Sequence, residues 1–219
     1  MGLDMYIFKY PRVPGFTAND YETMVEIHKD CIRGGDTGAT DALPWTKVQK
    51  EIVSGLIDRA TISYYDWDSS HQFPRSSLET EVAYWRKANA VHAWFVDRVQ
   101  GGEDDCGMHD EVTEDVLLEL RAACRQIIES AVQVNGQVAN GYRYNKATDR
   151  MEPVLEPGKR VLNPEVCEQL LPTQDGFFFG GTDYDEYYIA DIQETFEQCT
   201  RLLEETDFEN EILFYVSSW

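Results

Sequence analysis

The sequence predicts an α+β fold, in which a small mixed or antiparallel sheet packs with about four helices. Two observations predict it. Apolar, strand-like segments lie near both ends of the chain, from Met5 to Tyr10 and from Ile212 to Val216. Between them lie longer segments with helical periodicity and capping residues. We expect the first and last strands to be neighbours in one sheet of a single domain spanning residues 1–219.

Composition narrows the function before any motif is considered. The 219 residues include 40 acids and 19 bases, a formal net charge of -21. This charge argues against direct nucleic-acid binding, which needs a basic surface, and against docking on an anionic membrane. No segment has the ~18 apolar residues of a membrane span, and the N-terminus lacks the basic region of a secretory signal. We therefore expect a cytoplasmic protein, with no cofactor indicated.

The five cysteines are widely spaced and include no Cys-x-x-Cys pair. This pattern favours reduced thiols and gives no indication of a zinc site.

The first part of the chain predicts one long helix after the first strand. Thr17 with Asp20 forms a capping pair that begins this helix, and Gly34-Gly35 ends it. Residues 36–76 are longer and more mixed. Their patterns are a short helix near Val48–Leu56, a strand from Ala60 to Trp67, and loop signals at Asp68-Ser69-Ser70 and Pro74.

The strongest helical pattern runs from about Leu78 to Val99, with a capping box formed by Ser76 and Glu79. On a helical wheel centred on Trp85, polar residues share the apolar face. These polar residues are Glu81, Asn89 and His92. Burying such groups without partners costs about 1–3 kcal/mol each.

This helix carries the predicted binding site. Arg86 and Lys87 have no acid three or four residues away to pair with, although the chain is strongly acidic. One interpretation is a pocket wall, in which Arg86 holds an anionic group and neighbours supply hydrogen bonds and a stacking surface. The alternative is a buried polar network that ties the helix to the sheet. The residues of the predicted wall are Tyr84, Trp85, Arg86, Lys87, Asn89 and His92.

The second part of the chain predicts two further helices, a hairpin and the last strand. Thr113 caps one helix, and Thr182 with Asp185 caps another that continues to about Glu205. Residues 135–160 favour a protruding hairpin with its turn at Val138–Tyr142.

The segment Phe177-Phe178-Phe179-Gly180-Gly181-Thr182 is compatible with two interpretations. It predicts either a buried strand or a glycine-containing backbone that approaches an anion. We include Phe178 and Thr182 among the candidate ligand-binding residues on the second interpretation.

Clustered acids give weaker hypotheses. Weak candidates for a Mg²⁺ or Ca²⁺ site are Asp104, Asp105, Asp183 and Asp185. No EF-hand spacing is present, and helix capping or a solvated acidic face is the favoured interpretation of these acids. Residues 161–200 contain no Lys or Arg, which is also typical of a protein that mimics nucleic acid towards a basic partner. Recognised nucleophile and phosphate-binding motifs are absent. His92 or His109 with a carboxylate remains a candidate acid–base pair, but the balance is against an enzyme.

Several segments resemble a family of small acidic proteins common in bacteriophage and prophage genomes. They cover about a fifth of the chain in collinear order, with residues 36–76 and 135–166 as inserts. The resemblance implies a protein that acts on host machinery or host defence in a bacterial cytoplasm. The matching segments are MGLDMY at 1–6, EVAYWRKANAVHAWF at 81–95, Asp104-Asp105-Cys106, LLPTQDGFFFGGTDYDE at 170–186 and Ser217-Ser218-Trp219.

Together, the residues and the resemblance give three functional hypotheses. The first is a phage-type protein that sequesters a small anionic, nucleotide-like ligand, such as a host immune signal, without converting it. The second is an acidic inhibitor that binds a host protein. The third is a metal-assisted phosphohydrolase that uses the acidic loops. The sequence leaves the oligomeric state open.

Overall fold

The chain folds as the α+β protein that the sequence predicts. A computed structural model describes residues 2–32, 37–68, 71–176 and 178–219. Its first half contains strands β1 (Asp4–Pro11), β2 (Ile62–Asp68), β3 (His71–Ser76) and β4 (Thr80–Arg86), helices α1 (Ala18–Ile32), α2 (Lys47–Ile57) and α3 (Asn89–Val99), and a 3₁₀ turn (Thr37–Ala42). Its second half contains helices α4 (Glu114–Ser130), α5 (Glu165–Leu170) and α6 (Glu186–Glu205), and strands β5 (Gln133–Asn145), β6 (Arg150–Val161) and β7 (Glu211–Ser218).

The central sheet joins the two ends of the chain, as predicted. Its strand order is β4-β1-β7, and both pairings are antiparallel. Successive side chains of a strand point to opposite faces, and both faces of this sheet are covered. Met5 and Ile7 belong to the larger core, with buried residues of α3, α4 and α6. Tyr10 and Phe214 belong to a second core, with residues of α1 and α2.

The caps predicted for α1 and α4 are confirmed. The Thr17 amide and hydroxyl both donate to the Asp20 carboxylate at the start of α1. The Thr113 hydroxyl accepts from the amide of Val116 at the start of α4. The glycines predicted to end α1, Gly34 and Gly35, lie outside the described residues, as do Ser69 and Ser70 of the predicted loop.

The continuous helix predicted from Leu78 to Val99 is wrong. Residues 80–86 form β4, and the helix begins only at Asn89. Burial within β4 alternates, with Ala83 and Trp85 inside, and this is the period of a strand rather than of a helix. At the junction, Lys87 has φ 61° and its amide donates to the carbonyl of Leu3. The predicted capping box of Ser76 and Glu79 therefore caps no helix.

Three smaller predictions are also corrected. Pro74 lies inside β3, in a two-stranded sheet where an edge position needs no donor. The β5–β6 hairpin turns after Asn145, and residues 139–142 form an irregularity within the hairpin instead. Asp185, and not Thr182, is the N-cap of α6. The described part of the chain has six α-helices against the four or so expected, and α5 has no predicted counterpart.

No helix in the described ranges combines the length and apolar character needed to cross a bilayer. All five cysteines are free thiols.

Candidate functional site

A hollow of about 620 Å³ opens where four parts of the chain meet. Its walls are residues 86–91 at the junction of β4 and α3, the loop between residues 173 and 183, residues 139–142 of the hairpin, and the first two turns of α6. The volume lies in the range of small-molecule sites, about 300–1,000 Å³. Five of the eight predicted ligand-binding residues line it: Arg86, Lys87, Asn89, Phe178 and Thr182.

Arg86 and Lys87 form the cationic wall of this hollow. The Arg86 side chain is 59% exposed, and its closest carboxylate, that of Asp4, lies 3.9 Å away. An exposed pair at that distance contributes little. In the part of the chain that the structure describes, the Lys87 ammonium has no ion pair, and its stem passes over Gly2. Both cations are therefore available to an anionic group.

The N-terminus of α3 borders the same wall. Ala88 is its N-cap, and no side chain accepts a hydrogen bond there. The helices α2, α4 and α6 are each capped by a Thr or Asp side chain. The amide of Asn89 donates to the carbonyl of Lys87, and the positive end of the helix dipole lies at this end of α3 without a side-chain acceptor. Placed beside Arg86 and Lys87, it adds to the attraction for an anion.

The polar atoms of the Asn89 side chain bond to the loop that lines the hollow, and they are not free for a ligand. Its Nδ2 donates to the carbonyl of Gly181 at 2.8 Å and to that of Phe179 at 3.3 Å. Its Oδ1 accepts from the amide of Gln174 at 3.0 Å. Both ends of the 173–183 loop are thus fastened to the start of α3. The directional hydrogen bonds predicted for a ligand go to this loop instead.

Two residues other than glycine that line the hollow have a positive backbone φ. The described residues other than glycine that have positive φ are Lys87, Cys106, Asp149 and Phe178, and two of these four line the hollow. Such a conformation costs on the order of 1–3 kcal/mol and tends to occur at functional sites. Gly180, at φ 100°, is needed here because an added Cβ would lie 3.1 Å from the carbonyl oxygen of Lys87.

The wall from α6 is acidic. Asp185 is buried, and its Oδ1 accepts from the amides of Tyr187 and Tyr188, so that this carboxylate is occupied as a cap. Asp191 is half-buried, and no donor reaches its carboxylate within the described residues. Burial raises the pKa of Asp191 to about 7, and the charges of Glu194 and Asp185 add to the rise.

Aromatic side chains flank the hollow between these walls. Tyr142, Tyr187 and Phe178 are 60%, 44% and 52% exposed, respectively. The Tyr187 hydroxyl donates to Glu156 of the hairpin at 2.7 Å, which links α6 to β6. Phe179 is buried, and its ring packs against that of His92. Neither Phe178 nor Phe179 belongs to a strand. The buried strand predicted for this segment is therefore absent at these two residues, and Phe177 lies outside the described residues.

Three predicted ligand-binding residues lie away from the hollow. Trp85 is buried, and its Nε1 donates to the Thr195 hydroxyl at 3.0 Å. Tyr84 donates to Asp4 at 2.6 Å, and its ring packs beside Tyr6. The helical wheel places Trp85 on the same face as Asn89 and His92, and this placement is wrong because residues 80–86 form a strand.

His92 is fully buried in a network of its own. Its Nδ1 lies 2.7 Å from the Tyr215 hydroxyl and its Nε2 lies 3.0 Å from the Asp104 carboxylate. Because a carboxylate only accepts, Nε2 is the donor to Asp104. Asp104 also accepts from Nε1 of Trp219. For His92, the structure thus matches the alternative that the sequence left open, a buried polar network.

The acidic loops hold no assembled metal site within the described ranges, where three His, Cys, Asp or Glu side chains nowhere come together for an ion. Asp105 accepts from His109 and from the amide of Gly107. Asp183 lies 3.9 Å from Arg160. With Asp104 beside His92 and Asp185 capping α6, three of the four metal candidates accept hydrogen bonds from protein groups, and Asp183 has only its weak exposed pair with Arg160.

Asp191, Tyr142 and Tyr187 are the site residues that sequence reasoning missed. Asp191 lies three residues after Tyr188 and four before Thr195, both buried on α6. An acid at this position of an amphipathic helix borders the apolar stripe, which is a signal the sequence does contain. For Tyr142 no such signal exists, because only the fold brings the hairpin to α6.

Comparison with known proteins gives no relative. No protein-family model matches the chain, and neither a curated protein nor a solved structure is similar to it.

Proposed function

We propose that this protein captures a small anionic, nucleotide-like ligand in the hollow and holds it without converting it. The observation that carries the proposal is one wall where Arg86, Lys87 and the uncapped start of α3 adjoin. Arginine and lysine beside helix amides are the usual partners of a phosphate group. The exposed rings of Tyr142, Phe178 and Tyr187 offer a surface for a planar base.

Two features favour capture over conversion. The histidines predicted as acid–base residues do not line the hollow: His92 is buried with Tyr215 and Asp104, and His109 pairs with Asp105. Of the acids predicted as metal ligands, Asp104, Asp105 and Asp185 accept hydrogen bonds from protein groups, and the described residues hold no cluster of three metal-ligating side chains. The resemblance to phage proteins gives the proposed capture a role, since removal of a nucleotide signal would suppress host defence.

The test is a thermal-shift and mass-spectrometry experiment on the purified protein with guanosine and adenosine monophosphates. A ligand that binds only the folded state at 100 times its Kd stabilises it by about 2.7 kcal/mol. We expect a rise in melting temperature and recovery of the nucleotide intact after denaturation. A recovered product would instead show an enzyme.

The matched variants are Arg86→Ala/Lys87→Ala and Lys47→Ala/Arg59→Ala, which remove equal charge. Lys47 and Arg59 are exposed and lie outside the hollow. We expect the first variant to lose the thermal shift and the second to keep it. Equal shifts in both would overturn the proposal.

A second candidate function follows from the surface around α6. Residues 161–200 contain no Lys or Arg, and Glu194, Glu204 and Glu205 are exposed on the helix. Such a surface suits a basic host protein. Binding of such a protein would weaken steeply with salt and would be unchanged in Arg86→Ala/Lys87→Ala. This result would distinguish protein binding from capture of a nucleotide.

A further inference from the structure

The carboxylate of Asp191 is the least explained group of the hollow. It lies on the α6 wall, half-buried, where neither a hydrogen bond nor an ion pair from the described residues reaches it. The nearby Asp185 is occupied by two backbone amides. A half-buried carboxylate without donors is costly, and the cost falls when a ligand supplies N–H groups.

The ligand that satisfies this carboxylate must present donors rather than acceptors. A carboxylate has two acceptor oxygens and is best matched by two parallel N–H donors. Among the common nucleobases, guanine alone presents two adjacent donors, N1–H and the N2 amino group, on one edge. Adenine and cytosine each pair a donor with a ring acceptor, and uracil places its single donor between two carbonyls.

We propose that the hollow selects a guanine nucleotide, with the base edge on Asp191 and the phosphate on Arg86 and Lys87. This inference rests on the proposed function and adds the identity of the base to it. The exposed aromatic rings lie on the same hollow, where stacking is available to any base and therefore gives affinity without selectivity.

The negative charges around Asp191 support the choice of a base with donors. Glu194 and Asp185 are the charged groups that act on Asp191, and both are negative. An acceptor edge turned towards this wall would meet like charge, whereas a donor edge is attracted. The same wall disfavours a second phosphate near α6, so that the anionic part of the ligand belongs at the β4–α3 wall.

The test compares guanosine, inosine, adenosine and cytidine monophosphates by isothermal titration calorimetry. Inosine monophosphate retains N1–H and lacks the N2 amino group, so that it isolates one donor. Loss of a hydrogen bond to a charged group costs about 10- to 100-fold in affinity. We expect guanosine monophosphate to bind at least 10-fold more tightly than each of the others.

The variant Asp191→Asn assigns the preference to this residue. It preserves shape, removes a half-buried charge and is expected to fold, and an amide cannot accept both donors. We expect it to lose the preference for guanosine monophosphate while retaining binding of adenosine monophosphate. Glu197→Gln, an exposed acid farther along α6 and outside the hollow, is the charge-matched control and should keep the preference.

The outcomes separate this inference from the proposed function. Equal binding of all four nucleotides would overturn guanine selection and leave capture standing. A preference that survives in Asp191→Asn would overturn the role of Asp191. No binding of any nucleotide would overturn both proposals.

Discussion

His92 and the pair Arg86–Lys87 lie within seven residues of each other and occupy opposite environments. Both ring nitrogens of His92 have partners, and the side chain is wholly buried. Arg86 is mostly exposed, with a carboxylate no nearer than 3.9 Å, and Lys87 lines the hollow beside it. The polar atoms of His92 are paired within the protein, whereas the charged groups of Arg86 and Lys87 remain accessible in the hollow.

The difference shows that polar residue types alone do not mark a binding site. A buried polar group whose partners are all within the protein fixes the fold, because those partners lose their bonds when it is removed. A polar group that lines a hollow without partners is available to a ligand. The comparison predicts that substitution of a buried, fully paired polar group changes stability, and that substitution of an unpaired group in the hollow changes ligand affinity.

The largest effect on stability is expected from His92→Leu. This change leaves the Tyr215 hydroxyl and Asp104 without a shared partner in the interior, which costs about 2–4 kcal/mol. Urea denaturation measures the loss. Nucleotide affinity should stay within threefold of the wild type at temperatures where the variant is folded. An intact stability with lost binding would reverse the assignment.

Asn89→Ala is expected to lower both stability and ligand affinity, because Asn89 is a buried residue with internal partners and also lines the hollow. Loss of its bonds to Gln174 and Gly181 should cost about 1–3 kcal/mol and release the 173–183 loop. Hydrogen exchange of that loop should accelerate and ligand affinity should fall. Asn210→Ala, which removes an exposed bond to Asp207, serves as the control. Unchanged exchange in the loop would show that Asn89 does not hold the wall.

Asp191 predicts a pH dependence whose sign follows from the direction of its shift. The pKa of Asp191 is raised to about 7 in the folded protein, mainly by burial. The folded state therefore holds this proton more tightly than the unfolded state, and its contribution to stability is lost as pH rises from about 4 to 7. Asp191→Asn should remove this loss and gain about 1–3 kcal/mol relative to wild type at pH 8. Parallel stability curves for the two proteins from pH 4 to 8 would contradict the assignment.

The sequence predicts well those elements whose apolar residues fit one type of secondary structure or whose first residue is a recognisable cap. β1 and β7 are apolar segments at the chain ends, and α4 begins at its predicted Thr113 cap. The boundary between β4 and α3 was not predictable, because residues 78–99 place apolar side chains at positions compatible with both periods. The break occurs at Lys87, which has a positive φ and whose amide donates to the carbonyl of Leu3, just before β1. A lysine carries no local signal for such a break.

For the site, sequence reasoning identified the cations but misplaced their neighbours. Arg86 and Lys87 stood out because they lack local acids, and this property survives in the folded protein. Helical spacing groups His92 with them, and the strand at 80–86 shows that this grouping is wrong. Asp191 borders the apolar stripe of α6, which the sequence shows, but only the packing of α6 places it at the hollow, and no local pattern brings Tyr142 of the hairpin there.

Arg86→Ala/Lys87→Ala tests the central claim most directly, with stability and affinity measured on the same sample. Stability should change by less than about 0.5 kcal/mol, because both side chains are exposed and weakly paired. Affinity for guanosine monophosphate should fall at least 10-fold, about 1.4 kcal/mol, while Lys47→Ala/Arg59→Ala leaves it unchanged. Wild-type affinity in folded Arg86→Ala/Lys87→Ala would contradict the claim that Arg86 and Lys87 bind the anionic group of the ligand.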